Sequence, residues 1–263
     1  MTDGLLTWAA RLAPGEVVAG ALAVNLGLLV LALAAGGLLV RRYGERRVTP
    51  PPPPPDRREL LLSATAVLLN SAVGVAGWAL WKAGWIRLTA DTGLRAVAEL
   101  LVFTLVMDAL MYGGHWAAHR RRLYRLAHEM HHRYPDPRPA TLFVLHPLEV
   151  AGFGGAWLAV LGLHEISAAA LAGYVGVNLV FGLLGHLGVE PFPARVRRWV
   201  VFRWVALPMF HAGHHADPAV NLGFYTTVWD RLCGTVDPAY DTLRAAEWQT
   251  PAARQSIAWT PGE

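Results

Sequence analysis

Apolar residues in this chain come in long blocks, not in the alternation of a strand or the narrow stripe of a surface helix. Between Val17 and Val40 there is no charged side chain and a single amide, Asn25; between Leu60 and Trp81 there is again no charge. A helix needs about 20 apolar residues to cross a hydrocarbon core, so each block predicts a membrane-spanning helix. Three further segments are predicted at about Ala96–Gly114, Leu142–Leu163 and Ile166–Gly185. The last two are separated only by His164 and Glu165, which makes them an antiparallel hairpin, and their Gly and Pro content allows them to be tilted or to cross only in part. The expected fold class is all-α: a polytopic membrane helical bundle.

Charge sharpens this picture. Charged residues make up 16% of the chain, against about 25% in soluble domains. The net charge of +4 does not point to nucleic acid, because the arginines flank the apolar blocks. Arg41, Arg42, Arg46, Arg47, Arg57 and Arg58 lie between the first two segments, Arg120–Arg122 follow the third, and Arg195, Arg197 and Arg198 follow the fifth. The positive-inside rule then places these ends in the cytoplasm and the N-terminus outside. A single cysteine, Cys233, excludes an intramolecular disulfide and fits a reducing compartment. No cleavable signal is expected, since a basic n-region is missing and the first apolar run is too long for an h-region.

Pro50–Pro55 predicts a stiff extended spacer. It divides an N-terminal region (1–58) of helix, basic loop and proline linker from a membrane-embedded catalytic region (59–263). The aromatic stretch Trp199–Phe210 is too short to span and predicts a helix lying at the membrane interface or against the core.

The candidate chemistry lies in the eleven histidines. Residues three and four apart share a helix face. His115 pairs with His119 in this way, and His128, His131 and His132 form a triplet, as do His211, His214 and His215. Imidazole is a common ligand of zinc, iron and copper. One catalytic zinc takes three protein ligands, so eight clustered histidines favour two metals. His164 sits at the other end of the hairpin and is excluded from the site. HEMHH also matches H-E-x-x-H, with His128 and His132 as zinc ligands and Glu129 as base, which makes a membrane metallopeptidase the competing enzyme class. A metal-dependent scaffold without catalysis is a third.

Taken in order, these motifs resemble the fatty acid hydroxylase and sterol desaturase superfamily over roughly Asp108–Thr235. MDALMYGGHWAAH resembles the family's D-x-x-x-Y-x-x-H-x-x-x-H element through Asp108, Tyr112, His115 and His119. HEMHH resembles its first H-x-x-H-H box, and LHPLE, with His146 and Glu149, its H-P-x-E segment. GHLGVEPFP, with His186, looks like the isolated-histidine box, and HAGHH with the downstream Trp229, Asp230, Gly234 and Thr235 looks like the last box and its tail. Trp116 departs from the pattern, and Glu190 stands four residues after His186 where a second ligand can occur. Whether His146 or Glu190 is a ligand stays open.

The resemblance implies a cytoplasmic-side di-iron site held by His115, His119, His128, His131, His132, His186, His211, His214 and His215, with zinc able to replace iron on expression. It implies Asp108 and Tyr112 as catalytic-site residues, and makes Asp108, Glu149 and Asp230 candidates for orienting ligands. The implied activity is O2-dependent hydroxylation or desaturation of a lipid such as a fatty acyl chain or sterol-like lipid, with ether-lipid cleavage as an alternative. No electron-transfer module is recognisable, so a ferredoxin or cytochrome b5-like partner is expected.

Overall fold

The computed structural model describes residues 2–247. Its helices are α1 (Thr2–Arg11), α2 (Pro14–Arg42), α3 (Arg57–Lys82), α4 (Leu94–Ala118), α5 (Arg121–Leu123), α6 (Glu129–His132), α7 (Pro147–Leu163), α8 (Ala168–Gly185), α9 (Ala194–Arg197), α10 (Pro208–Ala216), α11 (Val228–Cys233) and α12 (Tyr240–Ala245). The fold is an all-α bundle of long apolar helices, followed by a C-terminal half of short helices and loops.

Three helices, α2, α3 and α8, are long and apolar enough to cross a membrane. They turn Leu26, Val30, Leu31 and Leu38 of α2 and Leu60, Leu61 and Leu68 of α3 outward, an apolar exterior that lipid would cover. The other two expected segments, α4 and α7, depart from that pattern. α4 has 25 residues but carries Arg95, Glu99 and Asp108. The fourth segment does not begin at Leu142: Pro139–Phe143 is a 3₁₀ turn and α7 starts at Pro147 with His146 as its N-cap. Proline fixes its own φ and disfavours the helical region for the residue before it. The 17 residues left in α7 reach about 25 Å at 1.5 Å per residue, short of a full hydrocarbon core.

The expected helix over Trp199–Phe210 is also not formed. Val200–Arg203 is a 3₁₀ turn, and α10 begins only at Pro208. The side chains of Trp199, Val200, Val201 and Trp204 are all exposed.

At the end of the bundle away from the clustered histidines, two-residue strands β1 (Leu88–Thr89) and β2 (Ile166–Ser167) pair in parallel. Glu99 works there. Its carboxylate accepts from the Ser167 amide at 2.7 Å and from Arg95 at 2.9 Å, while Arg95 also reaches Glu165 at 3.0 Å. Ser167 caps α8 through Ala170 N. One core gathers Ile86, Phe103, Met107, Leu161, Ile166, Ala170, Tyr174 and Tyr225 between α4, α7 and α8. A second packs Ala32 of α2 against Leu183, Leu187 and Val189, so the N-terminal helix shares its packing with α8. The proline run lies over the histidine end: Arg138 donates to Pro53 O and pairs with the buried Glu59.

Candidate metal centre

α4 sets the first two histidines. His115 and His119 lie one turn apart at its C-terminal end, with His119 as the C-cap. After Arg120 the chain turns back through a π-helical turn, Tyr124–His128, in which Glu129 N donates to Tyr124 O five residues earlier. Such turns add a residue to the helical repeat and are common at functional sites. This one lays the Tyr124 ring 5.5 Å from His119 and 5.8 Å from His132. His186 caps the end of α8. α10 brings His211, His214 and His215, all buried. It comes close because Gly185 has no side chain: a Cβ there would lie 3.2 Å from the His211 ring.

The nine rings sort into two groups, each able to hold a metal ion: His115, His119, His128, His132 and His214, and then His131, His186, His211 and His215. Each triplet is therefore split. Successive helical residues are about 100° apart, so positions i and i+4 diverge by about 40° while i+3 falls on the other side of i. His128 with His132, and His211 with His215, stay together; His131 and His214 cross to the opposite group.

In the first group the Nε2 atoms form a closed circuit. The spacings are 3.0 Å for His115–His128, 3.1 Å for His128–His132, His132–His214 and His214–His119, and 3.2 Å for His119–His115. In the second they run 3.4 Å for His131–His186, 3.3 Å for His186–His211 and 3.2 Å for His211–His215. For metal–nitrogen bonds of about 2.1 Å, ligands at right angles sit about 3.0 Å apart and tetrahedral ligands about 3.4 Å. Both groups fall in that window.

The tautomers decide what these contacts are. Nδ1 of His115 faces Leu222 O at 2.7 Å, that of His131 faces Val144 O at 3.0 Å, that of His186 faces Gly182 O at 2.8 Å, and that of His214 faces Val220 O at 2.8 Å. A carbonyl only accepts, so each Nδ1 carries the proton and each Nε2 presents a bare lone pair. His128 Nδ1 meets the Glu149 carboxyl at 2.6 Å in the same sense. Burial pushes His119 and His131 down to about 4 and holds His128, His132, His211, His214 and His215 well below the ordinary imidazole range. Neutral rings whose lone pairs point at one another at 3.0–3.4 Å repel unless a cation lies between them. The donor set thus fits metal ions bound by imidazole.

The other expected residues have clear places. Asp108 is fully buried. It accepts from Tyr225 N at 3.1 Å, Thr226 Oγ1 at 2.5 Å and Trp229 Nε1 at 3.1 Å. Asp230 accepts from Leu222 N at 2.7 Å, Gly223 N at 2.8 Å and Thr235 Oγ1 at 2.7 Å. Thr235 in turn meets the Tyr112 hydroxyl at 3.1 Å. Asp230 therefore reaches a histidine indirectly, through the Leu222 carbonyl that holds His115. His146 belongs to neither group and accepts from Leu148 N at 3.2 Å. Glu190 also lies outside both: Phe192 N donates to it, and burial pushes it up to about 7 against the pull of Arg197 and Arg46. His164 is exposed at the far end of α7. Glu129 is 41% exposed and pairs with Arg133 at 3.2 Å. The orienting carbonyls of Leu222, Val220, Val144 and Gly182 escape sequence reasoning, because every residue has one.

Residues 100–235, just over half of the chain, match the family model for fatty acid hydroxylase. The chain belongs to the fatty acid hydroxylase family. Its relatives include lathosterol oxidase of Rattus norvegicus, 32% identical over 158 residues, covering 58% of this chain and 46% of the relative. A very-long-chain aldehyde decarbonylase of Oryza sativa subsp. indica is 29% identical, covering 57% and 56%. Methylsterol monooxygenase 2-1 of Arabidopsis thaliana is 27% identical, covering 56% and 58%. The chain thus spans about half the length of these curated relatives. No solved structure matches it.

Proposed function

We propose that this chain is a membrane-embedded, O2-dependent di-iron oxidoreductase that hydroxylates or desaturates a lipid, with its metal site on the cytoplasmic side. The observation that carries the reading is the convergence of nine imidazoles, in sets of five and four, with facing lone pairs in each set that a cation would relieve. Two irons held there would supply the oxidising power, drawn from O2, to break an unactivated C–H bond. Hydroxylation consumes O2, two electrons and two protons and releases the alcohol and one water; desaturation releases the alkene and two waters. An external donor of the ferredoxin or cytochrome b5 type would deliver the electrons.

The residues of the chain do the holding. His115, His119, His128, His132 and His214 would bind one ion, and His131, His186, His211 and His215 the other. Glu149 fixes the tautomer of His128 directly. Asp230 fixes that of His115 by anchoring the segment whose Leu222 carbonyl faces its Nδ1. Asp108 anchors the same segment three residues further on, at Tyr225, and Tyr112 is tied to it through Thr235. In this reading Asp108 and Tyr112 are positioning residues. Arg120–Arg122 directly after α4, and Arg41 and Arg42 closing α2, support the cytoplasmic orientation. The names of the relatives, two of them sterol oxidising enzymes, support a lipid substrate.

One feature favours the metallopeptidase reading: His128 and His132 do share a metal group. A peptidase base must reach the metal-bound water, however, and Glu129 turns out to solvent toward Arg133. The test uses protein expressed with added iron, elemental analysis, and oxygen uptake with a membrane lipid extract and a reduced ferredoxin. Two irons per chain and O2-dependent lipid oxidation are expected, with most of the activity kept in Glu129→Gln. One zinc per chain with peptide cleavage, lost in Glu129→Gln, overturns the proposal.

A further inference from the structure

Between the two histidine groups and the apolar interior stands one side chain that the chemistry above does not use. Phe224 packs against the core that contains Met107, Tyr174 and Tyr225. Its ring also lies 4.8 Å from His115 in the first group and 6.5 Å from His211 in the second. Phe153 of α7 meets it edge to face at 5.8 Å. The Phe153 ring in turn comes within 3.7 Å of where a Cβ on Gly114 would be, next to His115. Both phenylalanines are half-buried, so neither ring is sealed inside the core.

The backbone beneath Phe224 is held on both sides. Asp230 accepts from Leu222 N and Gly223 N before it, and Asp108 from Tyr225 N and Thr226 N after it. A Cβ on Gly223 would lie 2.5 Å from Thr226 O and 2.6 Å from Asp230 Oδ2, so this strap has no slack. An aromatic ring on a backbone latched by two buried carboxylates acts as a fixed wall. Apolar pockets discriminate substrates by the volume such walls leave.

We propose that Phe224, with Phe153 beside it, is the specificity-determining wall of the site, and that side-chain volume at 224 sets how bulky a lipid can be where it meets the metals. The inference rests on the proposed lipid chemistry. A linear chain slides past the pair edge-on, while a rigid fused-ring lipid is obstructed by it.

Binding tests this without turnover. Full-length protein loaded with cobalt(II) would be titrated with two nitroxide probes, a stearate labelled near its methyl end and a labelled cholestane. The readout is the relaxation of each nitroxide by the paramagnetic ion. In Phe224→Ala the apparent affinity for the cholestane relative to the stearate should rise on the order of ten-fold, and in Phe224→Trp it should fall. An unchanged ratio in both variants, at wild-type cobalt stoichiometry, overturns the inference. If Phe224→Ala loses cobalt, Phe153→Ala, which leaves the strap intact, must shift the ratio in the same direction, and no shift there overturns it equally. A wild-type protein that binds cobalt but relaxes neither probe would instead sink the lipid reading on which the inference stands.

Discussion

At the scale of residues, the two His-rich pentapeptides show how little separates a ligand from its neighbour. In HEMHH, His128 and His132 serve one group, His131 the other, and Glu129 neither. Five of the nine rings have their tautomer set by an acceptor on Nδ1, and removing any one of the nine takes a donor from its group. His214→Ala or His119→Ala is therefore expected to drop metal content and abolish oxygen uptake. His164→Ala, exposed at the opposite end of α7, should change neither. Equal loss from His164→Ala in elemental analysis would mean that the hairpin is placed wrongly.

At the scale of elements, the segment from Val220 to Thr226 decides the geometry of the centre while donating no ligand. Its carbonyls at Val220 and Leu222 hold His214 and His115, and its amides are held by Asp230 and Asp108. Asn221 supports its entry: with φ of 56°, it adopts the left-handed conformation that asparagine tolerates, and its side chain donates to Phe210 O and accepts from Asp237 N. Gly223→Ala puts a methyl group against Thr226 O and Asp230 with no room to yield. The expected cost is about 1–3 kcal/mol of stability. Metal retention should fall roughly 10–100-fold, as for other losses of ligand-orienting contacts. Thermal unfolding and metal competition with a chelator measure the two effects. Unchanged metal affinity in a destabilised Gly223→Ala protein would show that the strap supports the fold but not the ligands.

At the scale of the whole molecule, the bundle has two chemically distinct ends. One is closed by β1–β2 and the Arg95–Glu99–Glu165 network. The other gathers the nine clustered histidines, Arg120–Arg122, the end of α2 and the proline run. In the proposed orientation the second end faces the cytoplasm. Cysteines introduced singly at Arg47 and Arg121 should be labelled by a membrane-impermeant maleimide only after the cells are opened, and one at His164 in intact cells. Labelling of the Arg47 site in intact cells would invert the topology.

Chain composition and periodicity were enough to read an apolar α-bundle, because a run without charge has few other stable homes and the pattern needs no partner to be seen. They also marked eight of the histidines, since i, i+3, i+4 spacing is a local property of a helix; His186 has no such neighbour and was marked only by the family resemblance. Local rules reached their limit at Pro147 and Pro208, where segments read as continuous start later than expected because proline resets the backbone. The division of nine rings into five and four, the tautomers of five of them, and the backbone amides that Asp108 and Asp230 hold came only from the tertiary structure. All depend on contacts between residues far apart in the chain, such as His115 with the Leu222 carbonyl and His128 with Glu149. A backbone carbonyl is the same atom at every position in a sequence, and only folding decides which four of them face an imidazole.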